Sequence, residues 1–481
     1  MTQQSDININ VGSEIGTLRS LLIHSPDSGL GRVVPSKAQD WLFEDIVHLD
    51  SMRKDEYDYY IKLLLYFLDP DKIKGKLKDV DAKENDRNFF KPDNADFYAS
   101  DKVIEIQTLL AEILLQDDIR KKLVASVCAI EGCTYVMQQK LIDTTPVELA
   151  KIFISGSLNA SEMIFAPIPN LIFSRDLGVV INDHILLNRP AKKARSRETL
   201  LMRYIFFNHH MFAAYRDKII EISENKQHFL RPGEANDEKT TLEGGDVMMV
   251  SPGHLIIGCS ERTSVSGANE AIKLLFEKDV VKKVTLVKIP NKRDYMHIDT
   301  VFTQVKRNVW VLLRSLSGAE PQHSTNDAVA WFTDKKNKDK PEIVQFRQDK
   351  KPKTFATLEA LLDNISRKDL GSPEPTQFIY SGNDEFPFDA REQWTDSCNL
   401  LALSEGVVLG YDRNDKTIGA FKQNGFEVIN VKELLRKLES DEIDAQQMKD
   451  TLILMPSAEL SRARGGFHCM SMPLERDTLS S

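Results

Sequence analysis

What most limits the folds open to this chain is a rhythm of short β-like segments in pairs, each pair followed by a helix and another strand. Val179-Val180-Ile181 and His184-Ile185-Leu186-Leu187 flank Asn182-Asp183, which reads as a hairpin turn although it lacks the favoured glycine. A helix over 197–212 follows. Residues 246–250 and 254–258 form a second hairpin around Pro252-Gly253, followed by a helix over 267–277 and a strand at Val284-Thr285-Leu286-Val287. Near the end the same order runs through 399–403, 406–411, 417–423 and 427–431. The repeat is one of order and not of residue identity. Strands alternating with helices in this way define an α/β chain.

Other segments carry different patterns. Leu18 to His24 reads as a first strand, and a helix is expected over 51–68, where Tyr57, Tyr60, Ile61, Leu64, Leu65 and Leu68 keep helical spacing. Leu171-Ile172-Phe173 and Val309 to Leu313 read as strands. Val103-Ile104-Glu105-Ile106 fits a short strand or a helix start equally well. The block 107–165 is helical throughout and contrasts with strand-rich sequence on both sides, so it reads as an inserted helical subdomain. The expected organisation is then 1–106 and 166–481 as two parts of one strand-rich body, separated by 107–165. Polar insertions fall at about 69–100 and 317–375. The charge run Asp334-Lys335-Lys336-Asn337-Lys338-Asp339-Lys340 reads as a solvated loop without chemistry.

Composition excludes several function classes. With 41% hydrophobic residues among 481, the chain can bury a large core. A net charge of −9 argues against a nucleic-acid partner, because phosphate backbones recruit basic surfaces. No apolar run approaches a bilayer-spanning length, and no positive, then apolar, leader is visible at Met1-Thr2-Gln3-Gln4. Five cysteines, an odd number in so long a chain, do not form a disulfide framework. The expectation is a reduced, cytoplasmic protein with no membrane partner.

Chemistry concentrates in the tail, Ser461-Arg462-Ala463-Arg464-Gly465-Gly466-Phe467-His468-Cys469-Met470. Arginines favour thiolate over thiol, and they grip carboxylates with paired hydrogen bonds. Cys469 is thus a candidate nucleophile, although a free cysteine is more often a small core residue. Three further constellations stand beside it. Pro169 to Asp176 brings an arginine and a carboxylate to the expected end of a strand. Glu243-Gly244-Gly245-Asp246 is either an acidic surface turn or a tight backbone that aims two carboxylates into a cleft a ligand can approach closely. On a strand, His297 and Asp299 would face the same side, as an acid/base pair or as a strand-edge ion pair.

These residue types suit attack by a thiolate on a guanidinium carbon. Asp176, Glu243 and Asp299 would hold the guanidinium nitrogens, and His297 would protonate the departing ammonia and then activate water. No metal or other cofactor is required. A metal reading, with His297, Asp299 and a glutamate as ligands, lacks a second histidine and leaves Cys469 and the arginines without a role.

The motifs resemble those of arginine deiminase, in the guanidine-modifying pentein superfamily. The resemblance runs through Ser13-Glu14-Ile15-Gly16, His24-Ser25-Pro26, Leu42 to Ile46, Pro169 to Asp176, Arg195 to Thr199 and Leu242 to Asp246. It continues through Glu261-Arg262-Thr263, Met296 to Phe302, Arg391 to Trp394, Tyr411 to Asn414 and Arg464 to Pro473. It implies a five-bladed, pseudo-symmetric α/β propeller of ββαβ units with an inserted helical subdomain. It implies hydrolysis of free L-arginine to L-citrulline and ammonia through a covalent adduct on Cys469. Cys469, His297, Glu243, Asp176 and Asp299 take the catalytic roles. Arg195, Arg262 and Arg464 would hold the α-carboxylate and shape the site, with Asn170, Phe173 and Asp246 as further substrate contacts. A homo-oligomer is compatible with it. The alternatives are a pentein hydrolase or amidinotransferase acting on another guanidine, or an inactive binding propeller. Glu44, Ser174, Ser397, Ala463 and Phe467 depart from the family pattern, Phe467 by its bulk beside His468.

Overall fold

A computed structural model describes residues 7–479 apart from 27–28, 39, 44, 160, 224–238, 318–340 and 349. The departure at Glu44 and the charge run 334–340 lie outside the described residues. The fold is mixed α/β, and the strands among the described residues lie in five sheets.

Each sheet is built the same way. Two antiparallel strands, joined as a hairpin in all but the sheet that unites the chain ends, are followed by a helical connection that returns the chain to a strand parallel to the second of them. In one sheet Gly178–Ile181 and His184–Leu187 form the hairpin, the helix Ser196–Asn208 follows, and Ile219–Glu221 returns. In the next, Val247–Ser251 and His254–Cys259 are followed by the helix Val265–Glu277 and by Lys283–Lys288. Phe302–Lys306 and Val309–Leu312 are followed by the helix Leu358–Lys368 and by Gln377–Tyr380. Leu401–Ser404 and Val407–Tyr411 pair in the fourth unit, where Thr451–Met455 sits between Val407–Tyr411 and Glu427–Asn430. The fifth unit joins the chain ends. The C-terminal strand Met472–Arg476 runs antiparallel to Leu18–Ile23, the helix Asp58–Leu68 follows, and Val103–Glu105 is parallel to Leu18–Ile23.

Helices Ile106–Leu114, Asp117–Glu131, Tyr135–Ile142 and Pro146–Ser155 occupy the helical block. Val103-Ile104-Glu105-Ile106 resolves both ways, as a strand that passes directly into a helix whose start is capped by Glu105. The segment 69–100 is not all surface, because Phe90 and Tyr98 are buried in the core beside the helix Asp58–Leu68. Every residue of that helix except Tyr59 is buried, and its two charged residues, Asp58 and Lys62, are paired with Arg87 and Asp81. Within 317–375, the described part is folded. Glu342–Arg347 and Lys350–Phe355 extend the second sheet, and Leu358–Lys368 is the helix of the third. Lys350–Phe355 is an exposed edge strand rich in lysine, which explains why it reads as a polar insertion.

Two expected strands are turns. Pro169–Ile172 and Ser174–Leu177 are single 3₁₀ turns, and so is Ile298–Thr300. Proline at the first position fixes φ for such a turn, and short apolar runs do not separate strand from turn. Among the described residues no helix is long and apolar enough to cross a membrane.

Candidate active site

The five units deliver their chemistry from one topological position, the segment just before the first strand of each sheet. Pro169–Ile172 and Ser174–Leu177 precede Gly178 and carry Asn170, Phe173 and Asp176. Gly244–Asp246 precedes Val247, with Glu243 as its cap. His297 caps Ile298–Thr300 ahead of Phe302. Asn399 precedes Leu401, and Cys469 precedes Met472.

A narrow cavity of about 30 Å³ lies where these segments meet. Asn170, Phe173, Asp176, Arg195, Glu243, Arg262, His297, Arg464 and Cys469 line it, joined by Leu42, Met296, Thr300 and Ala463. Asp299 and Asp246 stand behind this wall.

His297 is not on a strand, so it and Asp299 do not act as a side-by-side pair. From extended backbone (φ −139°, ψ 164°), its Nε2 lies 2.9 Å from Glu243 Oε2, and Nδ1 lies 3.9 Å from Asp176 Oδ1. Burial works against its charge, but Asp176, Glu243 and Asp246 outweigh it and push the imidazole up to about 10. Glu243 would be raised by burial, but His297, Arg195 and Arg262 bring it down to about 2. Its other oxygen accepts from Ala191 N at 3.1 Å.

The glycines beside Glu243 serve a different end from the close ligand approach expected. A Cβ on Gly244 would lie 2.0 Å from Arg175 O, and one on Gly245 would lie 2.6 Å from His297 Cγ. The bare backbone admits the protein's own parts. Asp246 is fully buried and accepts from Ile298 N at 3.0 Å and Ser260 Oγ at 2.6 Å, which ties down the turn after His297. Burial raises its carboxyl to about 6.

Cys469 is buried at the cavity wall, with Sγ 3.5 Å from Asp299 Oδ2 and its N–H donating to Asn399 Oδ1 at 3.1 Å. Burial, then the charges of Asp299, Asp176 and Asp396, push its thiol up. The nearby arginines do not reverse this. Arg195 donates to Asp176 Oδ2 at 2.5 Å, to Glu198 Oε2 at 2.7 Å and to Asn170 O at 3.2 Å. Arg262 reaches Glu261 Oε2 at 3.2 Å. Arg464, in the left-handed region at φ 61°, places its Cζ 3.4 Å from the centroid of the half-exposed Trp394 ring.

Glu14, Glu198, Asn399 and His468 meet the site although sequence reasoning gave them no role. Asn399 lies in the same segment, just before a first strand, as the other site residues, a signal that the repeat carries. Phe467 is clamped between the rings of Tyr60 and Tyr411 at 4.9 and 5.1 Å, so its bulk anchors the Cys469 loop.

Asp176, Glu243 and His297 could in principle ligate a metal, since their donor atoms lie within 4.8 Å of one another. The Arg195 guanidinium contacts Asp176 and stands 3.8 Å from Glu243 Oε2. A divalent ion would share those oxygens with a fixed cation, so the set fits a cation of guanidinium type better.

Fold and cavity together define a mixed α/β protein whose buried cysteine, histidine and carboxylates converge from the equivalent segments of five sheets. The family model for arginine deiminase (ADI) matches residues 119–476. The chain belongs to the arginine deiminase family. It is 29% identical over 477 residues to an arginine deiminase of Borrelia garinii subsp. bavariensis, spanning 98% of both chains. It is 28% identical over 482 residues to one of Latilactobacillus sakei subsp. sakei, again spanning 98% of both. A solved amidinotransferase of Microseira wollei aligns over 98% of this chain and 99% of its own, with 14% identity and a TM-score of 0.45.

Proposed function

We propose that the protein hydrolyses free L-arginine to L-citrulline and ammonia by covalent catalysis on Cys469. The observation that carries this reading is a pair of buried carboxylate oxygens, Asp176 Oδ1 and Asp299 Oδ1, which have no hydrogen-bond partner among the described residues. Buried carboxylate oxygens demand donors. A planar guanidinium supplies several, with the charge to match.

The thiol is the resting form, since burial and three carboxylates oppose the thiolate. An arriving guanidinium neutralises those carboxylates and eases ionisation. The thiol proton passes to Asp299 Oδ2, the acceptor 3.5 Å away, and Sγ bonds to the guanidinium carbon. Charged His297 gives its proton to the leaving nitrogen, the C–N bond breaks, and ammonia departs. Neutral His297 then takes a proton from water as its oxygen bonds to the same carbon. The C–S bond breaks as the adduct's hydroxyl gives up its remaining proton, which leaves with ammonia as ammonium; Asp299 returns the thiol proton to the sulfur, and citrulline is released.

The same reading takes the five sheets as the blades of a propeller, with 107–165 as an inserted subdomain in a cytoplasmic enzyme. Arg262 and Arg464 meet the α-carboxylate. Arg195, already on Asp176 and Glu198, orders the carboxylates as well.

The test is citrulline formation from L-arginine by the protein and by Cys469→Ala. Turnover by the first alone is the expected result. Equal turnover by both would remove Cys469 from the chemistry, and none by either would point to another guanidine.

A further inference from the structure

His468 precedes the nucleophile, and Glu14 lies in a motif near the other end of the chain. The reaction above uses neither. Yet both are buried, at 3% and 4% exposure, beneath Cys469. His468 Nδ1 lies 2.9 Å from Asp299 Oδ2, the same oxygen that faces the Cys469 thiol. His468 Nε2 lies 3.3 Å from Glu14 Oε2. The result is one continuous buried line from Glu14 through His468 and Asp299 to Cys469.

The motif at Glu14 is built to hold it there. Gly16 N donates to Ser13 Oγ at 2.9 Å, and a Cβ on Gly16 would lie 2.1 Å from Asp477 O, so the turn closes only with glycine. Glu14 Oε1 takes Arg175 and the N–H of Met249 at 3.2 Å, which leaves Oε2 for His468. Arg175 and His468 hold Glu14 ionised against the cost of burial.

We propose that His468 is a positioning residue for the nucleophile's carboxylate, oriented by Glu14. Both ring nitrogens face carboxylate oxygens, and only the doubly protonated ring donates to both. In that form the ring does two things. It pins Asp299 through Oδ2, so that Oδ2 stays at the thiol and Oδ1 stays turned away for a guanidinium. It also offsets the Asp299 charge beside Cys469, so the thiolate forms more readily than it would next to an unpaired carboxylate. The charged groups facing the line are Arg175 and Arg476 at Glu14, His297 and again Arg175 at Asp299, and Asp176 and Asp396 at Cys469.

The inference rests on Cys469 being the nucleophile, and it is tested on a readout that needs no turnover. The pH dependence of iodoacetamide alkylation at Cys469, followed by peptide mapping, is compared in the full chain, His468→Ala, His468→Asn and His468→Gln. Asparagine places an N–H donor where Nδ1 stands, whereas glutamine places its donor further out, toward Glu14. Without the ring, the alkylation midpoint should move up by about half a pH unit or more. With arginine, kcat should fall about tenfold or more with KM changed less. His468→Asn should recover a larger part of kcat than His468→Gln. Should His468→Ala fail to fold, the asparagine and glutamine variants decide. An unmoved midpoint in the variants that fold, or equal kcat in Asn and Gln, overturns the proposal. If the parent turns over no arginine, the reading of function fails, while the alkylation midpoints still decide the role of His468.

Discussion

His297 Nε2 and Glu243 Oε2 stand 2.9 Å apart, both out of solvent, with the imidazole pushed up to about 10 and the carboxyl brought down to about 2. The pair is therefore an imidazolium on a carboxylate across the neutral range. A group raised to about 10 stays charged below that pH and is lost as a proton donor above it. Glu243→Gln keeps the shape and removes the charge. The imidazole then drops toward its ordinary value, and the alkaline arm of the kcat profile moves to lower pH by about one unit or more. We expect kcat to fall about 100-fold at its optimum. A pH–rate profile of the two proteins measures both, and an unmoved alkaline arm would remove Glu243 as the group that holds the charge on His297.

Gly245→Ala tests the same histidine from behind. The new methyl would lie 2.6 Å from His297 Cγ and Nδ1, closer than carbon and ring atoms can sit. The ring must swing away from Glu243 or the turn must open. Overpacking of this kind costs about 1–3 kcal/mol, read as a lower urea midpoint. Activity should suffer more than stability, because in the mechanism proposed above a displaced His297 loses its reach to the substrate. Activity within twofold of the parent would mean that the ring position is not critical.

The fold was legible where the pattern is local. The hairpin around Pro252-Gly253 and the strand-strand-helix-strand order could be read because alternation and turn residues sit within a few positions of each other. The fifth unit could not, because its first strand, Met472–Arg476, and its second, Leu18–Ile23, lie at opposite ends of the chain. The 3₁₀ turns Pro169–Ile172 and Ile298–Thr300 fit a strand equally well in the sequence, for want of any period in so few residues. At the site, the residue types spoke for themselves, since a cysteine, a histidine, acids and arginines with glycines between them suit few chemistries. Partner choice did not. Arg195 settles on Asp176, from the segment before another strand, and His468 finds a glutamate 454 positions away. Such pairings follow from how the five units are brought together, which no local pattern encodes.

Trp394 controls Arg464. The arginine sits in the left-handed region, with its guanidinium stacked on the indole at 3.4 Å and its backbone in the loop that leads to Cys469. Arg464 lines the cavity and borders the half-exposed ring. Cation–π contacts are worth about 0.5–2 kcal/mol. Trp394→Ala should therefore raise KM for arginine about three- to thirtyfold and alter kcat less. Steady-state kinetics separate the two, and a loss confined to kcat would place Trp394 in the chemical step instead.

Arg175 and Glu14 form a buried ion pair beneath the site, with side chains 2% and 5% exposed. Removing one partner of such a pair leaves the other charge without compensation, at a cost of about 3–5 kcal/mol. Arg175→Met, which keeps the bulk, should lower the urea midpoint accordingly. Glu14→Gln with Arg175→Met should recover part of the loss, because no buried carboxylate then lacks its arginine. If the double variant is no more stable than Arg175→Met alone, the arginine is held by packing and by its bond to Val247 O at 3.2 Å.

Asp299→Asn separates two effects that a loss of activity would merge. Burial, then Asp299, hold the Cys469 thiol up, so removing that charge lowers the pH at which the thiolate forms. Alkylation of Cys469 by iodoacetamide should then reach half its maximal rate at a lower pH than in the parent, by about half a unit or more. Hydrolysis should move the other way, falling about 100-fold or further, because the amide cannot take the thiol proton and no longer offers a charged oxygen to the guanidinium. A more reactive thiol in a less active enzyme is what a carboxylate that serves the substrate, at the expense of the resting nucleophile, must produce. If alkylation instead shifts to higher pH, then Asp299 supports the thiolate, and the resting form of Cys469 is the ionised one.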